Sequence, residues 1–301
     1  IGERPFKGTK IAPWLVPDTF CPLELVMAFW RTFLAASALA ATTTIAAAAA
    51  TAAEGQQIVL KYEVRIGGLH GVRADAVLRM AGDRFVAEAD IAKEGLLDRL
   101  SKTYRAVHVS RGRLDGGRLM PAESVAQIVS GDEKRALRAS YGGDGSLNIA
   151  QNPAPDIKSG REVSAEQRRG AWDPLMAALM TVLGREDPCA APIPVFDGRN
   201  RFDIVPKKVG SESFASDDFK INGRSTVCEV RLRKVAGYKP GTDPEEDFDK
   251  PAKLWLGALD ESGRLYPLRV EVETSFGTVV GQLRKADFRP LTDDERLALL
   301  K

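Results

Sequence analysis

Apolar and polar residues alternate along most of the chain, and this alternation predicts β-strands. Every second residue is apolar in LKYEVRI (60–66), VRADAVLRM (72–80), RFVAEADI (84–91), CEVRLRKV (228–235) and LRVEVET (268–274). A period of two is typical of strands that place one face on the core and the other in water. Turn pairs such as Gly67 with Gly68 and Asn222 with Gly223 separate these segments and indicate hairpins. The sheet is therefore expected to be mostly antiparallel.

A single segment is apolar around its whole circumference. Residues 174–183 read PLMAALMTVL and carry no charge, although 28% of the chain is charged. Asp173 is a good N-cap, Pro174 suits the first helical position, and Gly184 can end the helix. Such a helix must be buried in protein or in a membrane, and at roughly 15 Å it is too short to span a bilayer. It is therefore expected to cover the apolar face of the sheet.

These patterns together predict a mainly β fold. We expect a large curved antiparallel sheet, or incomplete barrel, of about ten to twelve strands, with one buried plug helix over 174–183. A short helix is also predicted over 94–102, and another follows a capping box formed by Thr292 and Glu295. The segments 152–172 and 237–251 lack periodicity and are predicted to be long loops.

The first 53 residues predict export rather than structure. From Met27 the chain shows one basic residue, Arg31, then an apolar run and small residues up to Ala53, which is the pattern of a bacterial secretory signal. We interpret residues 1–26 as an upstream extension, 27–53 as the signal peptide and 54–301 as a single periplasmic β domain. An uncleaved anchor is the alternative, because the uncharged run is long enough to span a bilayer. Its second half is mostly alanine and threonine, so no stable membrane span is expected after cleavage.

Charge and cysteine content narrow the functional classes. The chain has 43 basic and 41 acidic residues, and this balance gives no reason to expect a nucleic-acid partner. Cys189 and Cys228 are the two cysteines that follow the signal, and a pair in an oxidising compartment predicts a disulfide. No cysteine stands at the end of the signal, so a lipoprotein is not expected.

Catalytic motifs are sparse. The chain lacks a G-x-S-x-G nucleophile elbow, a phosphate-binding G-x-x-x-x-G-K and an H-E-x-x-H metal helix. His108, one of two histidines, lies in a predicted strand, and a hydrogen-bonded structural role is the simpler interpretation. With both mature cysteines oxidised, we expect no metal, no cofactor and a protein that is not an enzyme.

Two groups of residues are candidates for binding. Met176, Leu179, Met180 and Leu183 could line a site for a lipid-like guest, since methionine adapts to irregular apolar surfaces, and ordinary core packing is the alternative. In PVFDGRNRFDI (194–204), Arg199 and Arg201 share one strand face, which predicts a solvent-exposed contact for a small anion or headgroup. Salt pairing of Arg201 with Asp203 is the competing interpretation.

The order of several segments resembles a known family. WDPLMAALM is followed by PC, then PVFDGRNRFDI, then TVCEVRL, and finally LWLGALDESGRLYPLRVEVETSFGTVVGQL. This series is similar to the exported bacterial proteins of domain-of-unknown-function family 3108, over about residues 58–289. The resemblance implies an exported, mainly β protein and brings no activity or catalytic residue with it.

We therefore expect a non-enzymatic periplasmic protein associated with the cell envelope. The leading hypothesis is a binding or assembly factor that holds an apolar or lipid-like ligand between sheet and helix, or that contacts an envelope protein. A structural or protein-interaction domain with a filled core, acting through loops 152–172 and 237–251, is the second hypothesis. A hydrolytic enzyme is the third.

Overall fold

A computed structural model describes residues 55–95, 98, 102–115, 118–155, 157, 161–183, 187–239, 251–274 and 277–300. The predicted signal peptide, the extension before it and most of the predicted helix over 94–102 lie outside these ranges. The described residues form three helices, α1 (Ala165–Arg168), α2 (Pro174–Leu183) and α3 (Asp293–Leu300). They also form thirteen strands: β1 (Gln56–Ile66), β2 (Leu69–Ala81), β3 (Arg84–Lys93), β4 (Tyr104–Asp115), β5 (Arg118–Ser130), β6 (Glu133–Tyr141), β7 (Leu147–Asn152), β8 (Ile193–Phe196), β9 (Arg201–Glu212), β10 (Asn222–Ala236), β11 (Ala252–Ala258), β12 (Leu265–Thr274) and β13 (Gly277–Pro290).

All thirteen strands belong to one antiparallel sheet that is not closed. Its order is β7-β6-β5-β4-β3-β2-β1-β13-β12-β11-β10-β9-β8, so β7 and β8 are the two edges. Strands β1–β7 form one meander, the first wing, and β8–β13 form a second wing. The wings join where β1 pairs with β13. The predicted mainly antiparallel β fold is confirmed, with one strand more than the expected range.

The sheet curves around α2. This helix contacts β4 and β5 of the first wing and β8 and β12 of the second. In the sheet order β5 and β8 are ten strands apart, which is roughly 48 Å across a flat sheet. A helix is only about 10–12 Å wide with its side chains. Both strands can reach it only because the sheet bends.

Burial alternates along the strands, as the sequence pattern predicts. In β3, Phe85, Ala87, Ala89 and Ile91 are buried while their neighbours are partly exposed. Most buried apolar residues of the sheet and residues 175–179 of α2 belong to one hydrophobic cluster. The main core therefore lies between the sheet and the helix.

The two edges of the sheet approach each other without forming a strand pair. Phe196 of β8 packs in a small buried cluster with Ala139 of β6 and Leu147 of β7. Gly198, in the turn after β8, has a φ of +96°, and a Cβ atom at this position would lie 2.8 Å from the side chain of Leu137. The turn requires glycine both for its backbone conformation and for this close contact.

Candidate functional site

The residues at the start of α2 contact both wings of the sheet, far from the β1–β13 pair that joins them. Trp172 forms a parallel bridge with Val195 of β8, which fixes the chain just before the helix. The next residue, Asp173, caps α2, because its Oδ1 accepts hydrogen bonds from the N–H groups of Leu175 at 2.9 Å and Met176 at 3.2 Å. The predicted N-cap is confirmed, and the helix covers the predicted residues 174–183.

The second carboxylate oxygen of Asp173 reaches the opposite wing. Oδ2 accepts hydrogen bonds from Ser124 Oγ of β5 at 2.6 Å and from the hydroxyl of Tyr141 in β6. The N–H of Asp173 in turn donates to the Tyr141 hydroxyl oxygen at 2.9 Å. Ser110 of β4 extends the network, with its Oγ 2.5 Å from Ser124 Oγ. A single buried carboxylate therefore connects α2 with β5 and β6 of the first wing.

The electrostatics of this network favour a structural role. Burial raises the pKa of the Asp173 carboxyl, and the hydrogen bonds from its four donors oppose this by favouring the ionised form. Burial and the nearby Asp173 charge raise the pKa of Tyr141 well above its usual value, so its hydroxyl remains a donor. The four donors occupy the roughly four lone-pair positions of a carboxylate. Asp173 therefore anchors the helix, and donors of the chain itself occupy its lone pairs.

Two small cavities flank the first turn of α2. The first, about 30 Å³, is lined partly by Ser124, Ala126 and Asp173. The second, about 20 Å³, is more apolar and is lined partly by Ala89 and Leu175. His108, which is buried, and Pro174 line both. Spaces of this size hold about one water molecule each, so these two cavities leave little room beside the first turn of α2.

The apolar residues proposed as ligand contacts lie in or beside the core. Met176 and Leu179 are buried, and Met180 is half-buried. The side chain of Leu183 lies outside the described part of the chain. Neither cavity is lined by Met176, Leu179 or Met180, whereas Ala178 of the same helix lines the second one. Their role in holding a ligand remains a prediction.

The prediction that Arg199 and Arg201 share a solvent-exposed face is wrong for Arg201. Arg199 is exposed, but Arg201 is buried, and its Nη1 lies 2.6 Å from Asp203 Oδ1. Its Nε donates to the carbonyl of Gln167 at 3.1 Å. The segment containing α1 covers this face of β9, so alternation along β9 alone does not reveal the burial. The competing interpretation, salt pairing with Asp203, is confirmed.

The predicted disulfide joins Cys189 to Cys228, with 5.9 Å between the Cα atoms. Cys228 is fully buried in β10, and Cys189 follows α2 by a few residues. The disulfide therefore holds the chain after α2 against the second wing, while Asp173 holds its beginning against the first. The helix is tethered on both sides.

Sequence reasoning recognised the cap but not its partners. Ser124 and Tyr141 precede Asp173 by 49 and 32 residues, so no local pattern joins them. A weak signal was present, because Ser110 and Ser124 occupy inward positions where an apolar residue is expected, and both are buried. A buried hydroxyl requires a hydrogen-bond partner.

Among the residues that the structure describes, no group of three or more histidine, cysteine or acidic residues is arranged to hold a metal ion. Within those residues, none of the helices has the length and hydrophobicity needed to cross a membrane.

Comparison with other proteins places the chain in a family. No curated protein matches it. Among solved structures, it is similar to a beta-barrel-like protein of domain of unknown function DUF1849 from Brucella abortus, at 11% identity and a TM-score of 0.43, over 78% of this chain and 98% of that chain. The family model described as "Protein of unknown function (DUF3108)" matches residues 61–284, from β1 to β13. The chain therefore belongs to the DUF3108 family of proteins of unknown function.

Proposed function

We propose that this protein is a non-enzymatic periplasmic binding or assembly factor of the bacterial cell envelope, in which α2 is a permanent plug of the concave face. The burial of five consecutive helical residues, 175–179, supports the plug most strongly. Because a helix has 3.6 residues per turn, these five residues cover every side of it. A helix that merely lay across the sheet would expose one side.

The tethering of α2 also supports a permanent plug. The Asp173 network holds its first turn against β5 and β6, and the disulfide at Cys189 holds the following chain to β10. Closing a loop of 39 residues in this way restricts the unfolded chain and stabilises the fold by about 4 kcal/mol in the chain-entropy model. Displacement of the helix would break several hydrogen bonds at once.

The disulfide is also the main observation that supports a periplasmic location. Stable disulfides form in oxidising compartments such as the bacterial periplasm and are rare in the cytosol. The signal-like pattern of residues 27–53 leads to the same compartment. Secretion of a C-terminally tagged chain, followed by N-terminal sequencing of the periplasmic product, tests this part. Retention of the tagged chain in the cytosol would contradict it.

Because α2 fills the concave face in this proposal, we expect partners to bind on the outer surface. The experiment is native mass spectrometry on protein purified from the periplasm without detergent. We expect the mass of the mature chain with one disulfide and no bound lipid. A lipid that remains bound under native conditions, and that a bulky substitution on the inner face such as Ala89→Phe displaces, would overturn the permanent plug.

A second candidate, an apolar ligand between α2 and the sheet, is favoured by one observation. The small cavity at this interface is lined by Ala74, Ala76, Ala89 and Ala178. Small side chains leave room for an acyl chain if the helix moves outward. Here Ala89→Phe should reduce the lipid recovered by extraction, whereas Ala92→Phe, on the opposite face of β3, should leave it unchanged. Equal lipid content in both variants would exclude this candidate.

A further inference from the structure

A cleft of about 420 Å³ lies on the outer face of the sheet, opposite α2. It forms where β1, β13 and β12 run side by side, and Gly67 and Gly68 of the β1–β2 turn also line it. We call it the outer cleft and define it by Arg65, Gly67, Gly68, Arg269, Thr278, Val280, Gln282 and Arg284. Of the described residues that line it, three are arginines and none is acidic.

Strand register brings the arginines together. Arg65 of β1 is opposite Val280 of β13, and Arg269 of β12 is opposite Gln282 of β13. Val280, Gln282 and Arg284 follow one another at every second position of β13, so they share the outer face. Arg65 and Arg269 therefore stand on either side of β13, about 12 Å apart at the backbone, since their partners are two residues apart along β13.

Carboxylates outside the cleft lining hold the guanidinium groups in place. Glu63 accepts from Arg65 Nε at 2.6 Å and from Arg284 Nε at 2.9 Å. Asp218 accepts from Arg284 Nη1 at 2.8 Å, and Glu271 accepts from Arg269 Nη2. Since each guanidinium has five N–H donors, these contacts orient the groups and leave further donors for a ligand.

One of the remaining donors requires an acceptor. Arg269 Nε is buried and has no hydrogen-bond partner among the described residues. Buried N–H groups without a partner are rare in native proteins. An acceptor from outside the chain would complete the hydrogen bonding of Arg269.

We propose that the outer cleft binds a phosphate group, carried by a lipid headgroup or by a soluble phosphate ester. Arginine presents a planar fork that matches the oxygens of phosphate, and three such groups surround one space here. A cleft of about 420 Å³ also accommodates the organic group attached to the phosphate. This proposal does not depend on the plug, since the outer cleft lies on the other face of the sheet.

The test measures binding of glycerol 3-phosphate by calorimetry, and binding to vesicles of phosphatidylglycerol or of phosphatidylcholine by sedimentation. We expect wild-type protein to bind glycerol 3-phosphate, or phosphatidylglycerol vesicles in preference to phosphatidylcholine. Arg65→Gln and Arg269→Gln should each raise the Kd on the order of tenfold, which is the effect of losing a charge-assisted hydrogen bond. Binding to vesicles alone identifies a lipid headgroup, and binding to glycerol 3-phosphate identifies a soluble ester.

Arg105→Gln is the matched control. Arg105 is also exposed on the outer face and paired with one carboxylate, that of Asp90, but it lies in β4 away from the cleft. Its substitution removes the same charge and should leave the Kd unchanged. An equal loss of binding in Arg105→Gln would show a general charge effect and overturn the proposal. So would the absence of binding by wild-type protein to both probes.

Discussion

The concave interior around α2 and the outer cleft both contain charged side chains, but these are satisfied in opposite ways. In the interior, one carboxylate, Asp173, receives four hydrogen bonds and is fully buried. In the outer cleft, three guanidinium groups share a few carboxylates, and Arg269 retains a buried donor with no acceptor among the described residues. The carboxylate oxygens of the interior site are fully hydrogen-bonded, whereas the guanidinium groups of the open cleft have N–H donors left for a ligand.

This difference suggests a division of roles within one sheet. A saturated network in a nearly filled core holds the fold in place and offers little to a ligand. Partly exposed arginines contribute little to stability and can bind an anion. Substitutions around α2 should therefore change stability strongly, and substitutions in the outer cleft should change binding.

Removal of the disulfide should have the largest effect. The double substitution Cys189→Ala and Cys228→Ala should lower the free energy of unfolding by about 4 kcal/mol, because the loop of 39 residues is no longer closed in the unfolded chain. Urea denaturation without reductant measures the change. A reductant should destabilise the wild type to a similar degree and leave the double variant unaffected. No difference between the two proteins would contradict the tether.

Truncation of a buried side chain in α2, which leaves a cavity, should be the next most destabilising change. Met176 is completely buried, so Met176→Ala should lower the free energy of unfolding by about 3 kcal/mol. Met120, which is 46% exposed in β5, provides the matched control. Met120→Ala should change stability by less than about 0.5 kcal/mol. Equal effects of the two substitutions would show that α2 is not enclosed.

Loss of the interior carboxylate should have an intermediate effect. Asparagine can still cap the helix through its carbonyl oxygen, but Asp173→Asn replaces the second oxygen, which accepts from Ser124 and Tyr141, by an amide donor. The free energy of unfolding should fall by about 2 kcal/mol. Asp144→Asn, at an exposed turn, is the control and should be nearly neutral. If Asp173→Asn left the free energy of unfolding unchanged, the hydrogen-bond network would not be what holds α2 in place.

The outer cleft should show the smallest effect on stability, and this effect should depend on pH. Burial raises the pKa of Glu63, but hydrogen bonds from Arg65 and Arg284 outweigh it and hold the pKa below the usual 4.5. Since the folded-state pKa is the lower one, the stabilisation is present above pH 4.5 and is lost as the pH falls through the lowered pKa.

Glu63→Gln lacks this titration and is the reference for the wild type. The difference in thermal midpoint between the two proteins should be small at neutral pH and should vanish in acid. A difference that grew on acidification would contradict the ion pairs drawn around Glu63.

Much of the fold could be predicted because the determining signals are local. Alternation within each strand predicts the sheet, and Asp173, Pro174 and Gly184 predict the limits of α2. The pairing of β1 with β13 could not be predicted, because it joins residues more than 200 positions apart, such as Gln56 and Pro290. Local patterns carry no information about such contacts.

The surroundings of Arg201 and the outer cleft were harder to predict, for different reasons. The alternation of residues along its strand predicts that Arg201 faces solvent. The segment containing α1 covers that face, so Arg201 is buried. The outer cleft was missed because Arg65, Arg269 and Arg284 each look like ordinary outward residues of separate strands. Only the register between β1, β12 and β13 brings them together.

Hydrogen–deuterium exchange of residues 176–180 measures whether α2 stays enclosed by the sheet. We expect these amides to exchange only when the whole protein unfolds, with the same protection as the central amides of β1. Fast exchange in α2 while β1 remains protected would show that the helix leaves the concave face easily, and would contradict the permanent plug.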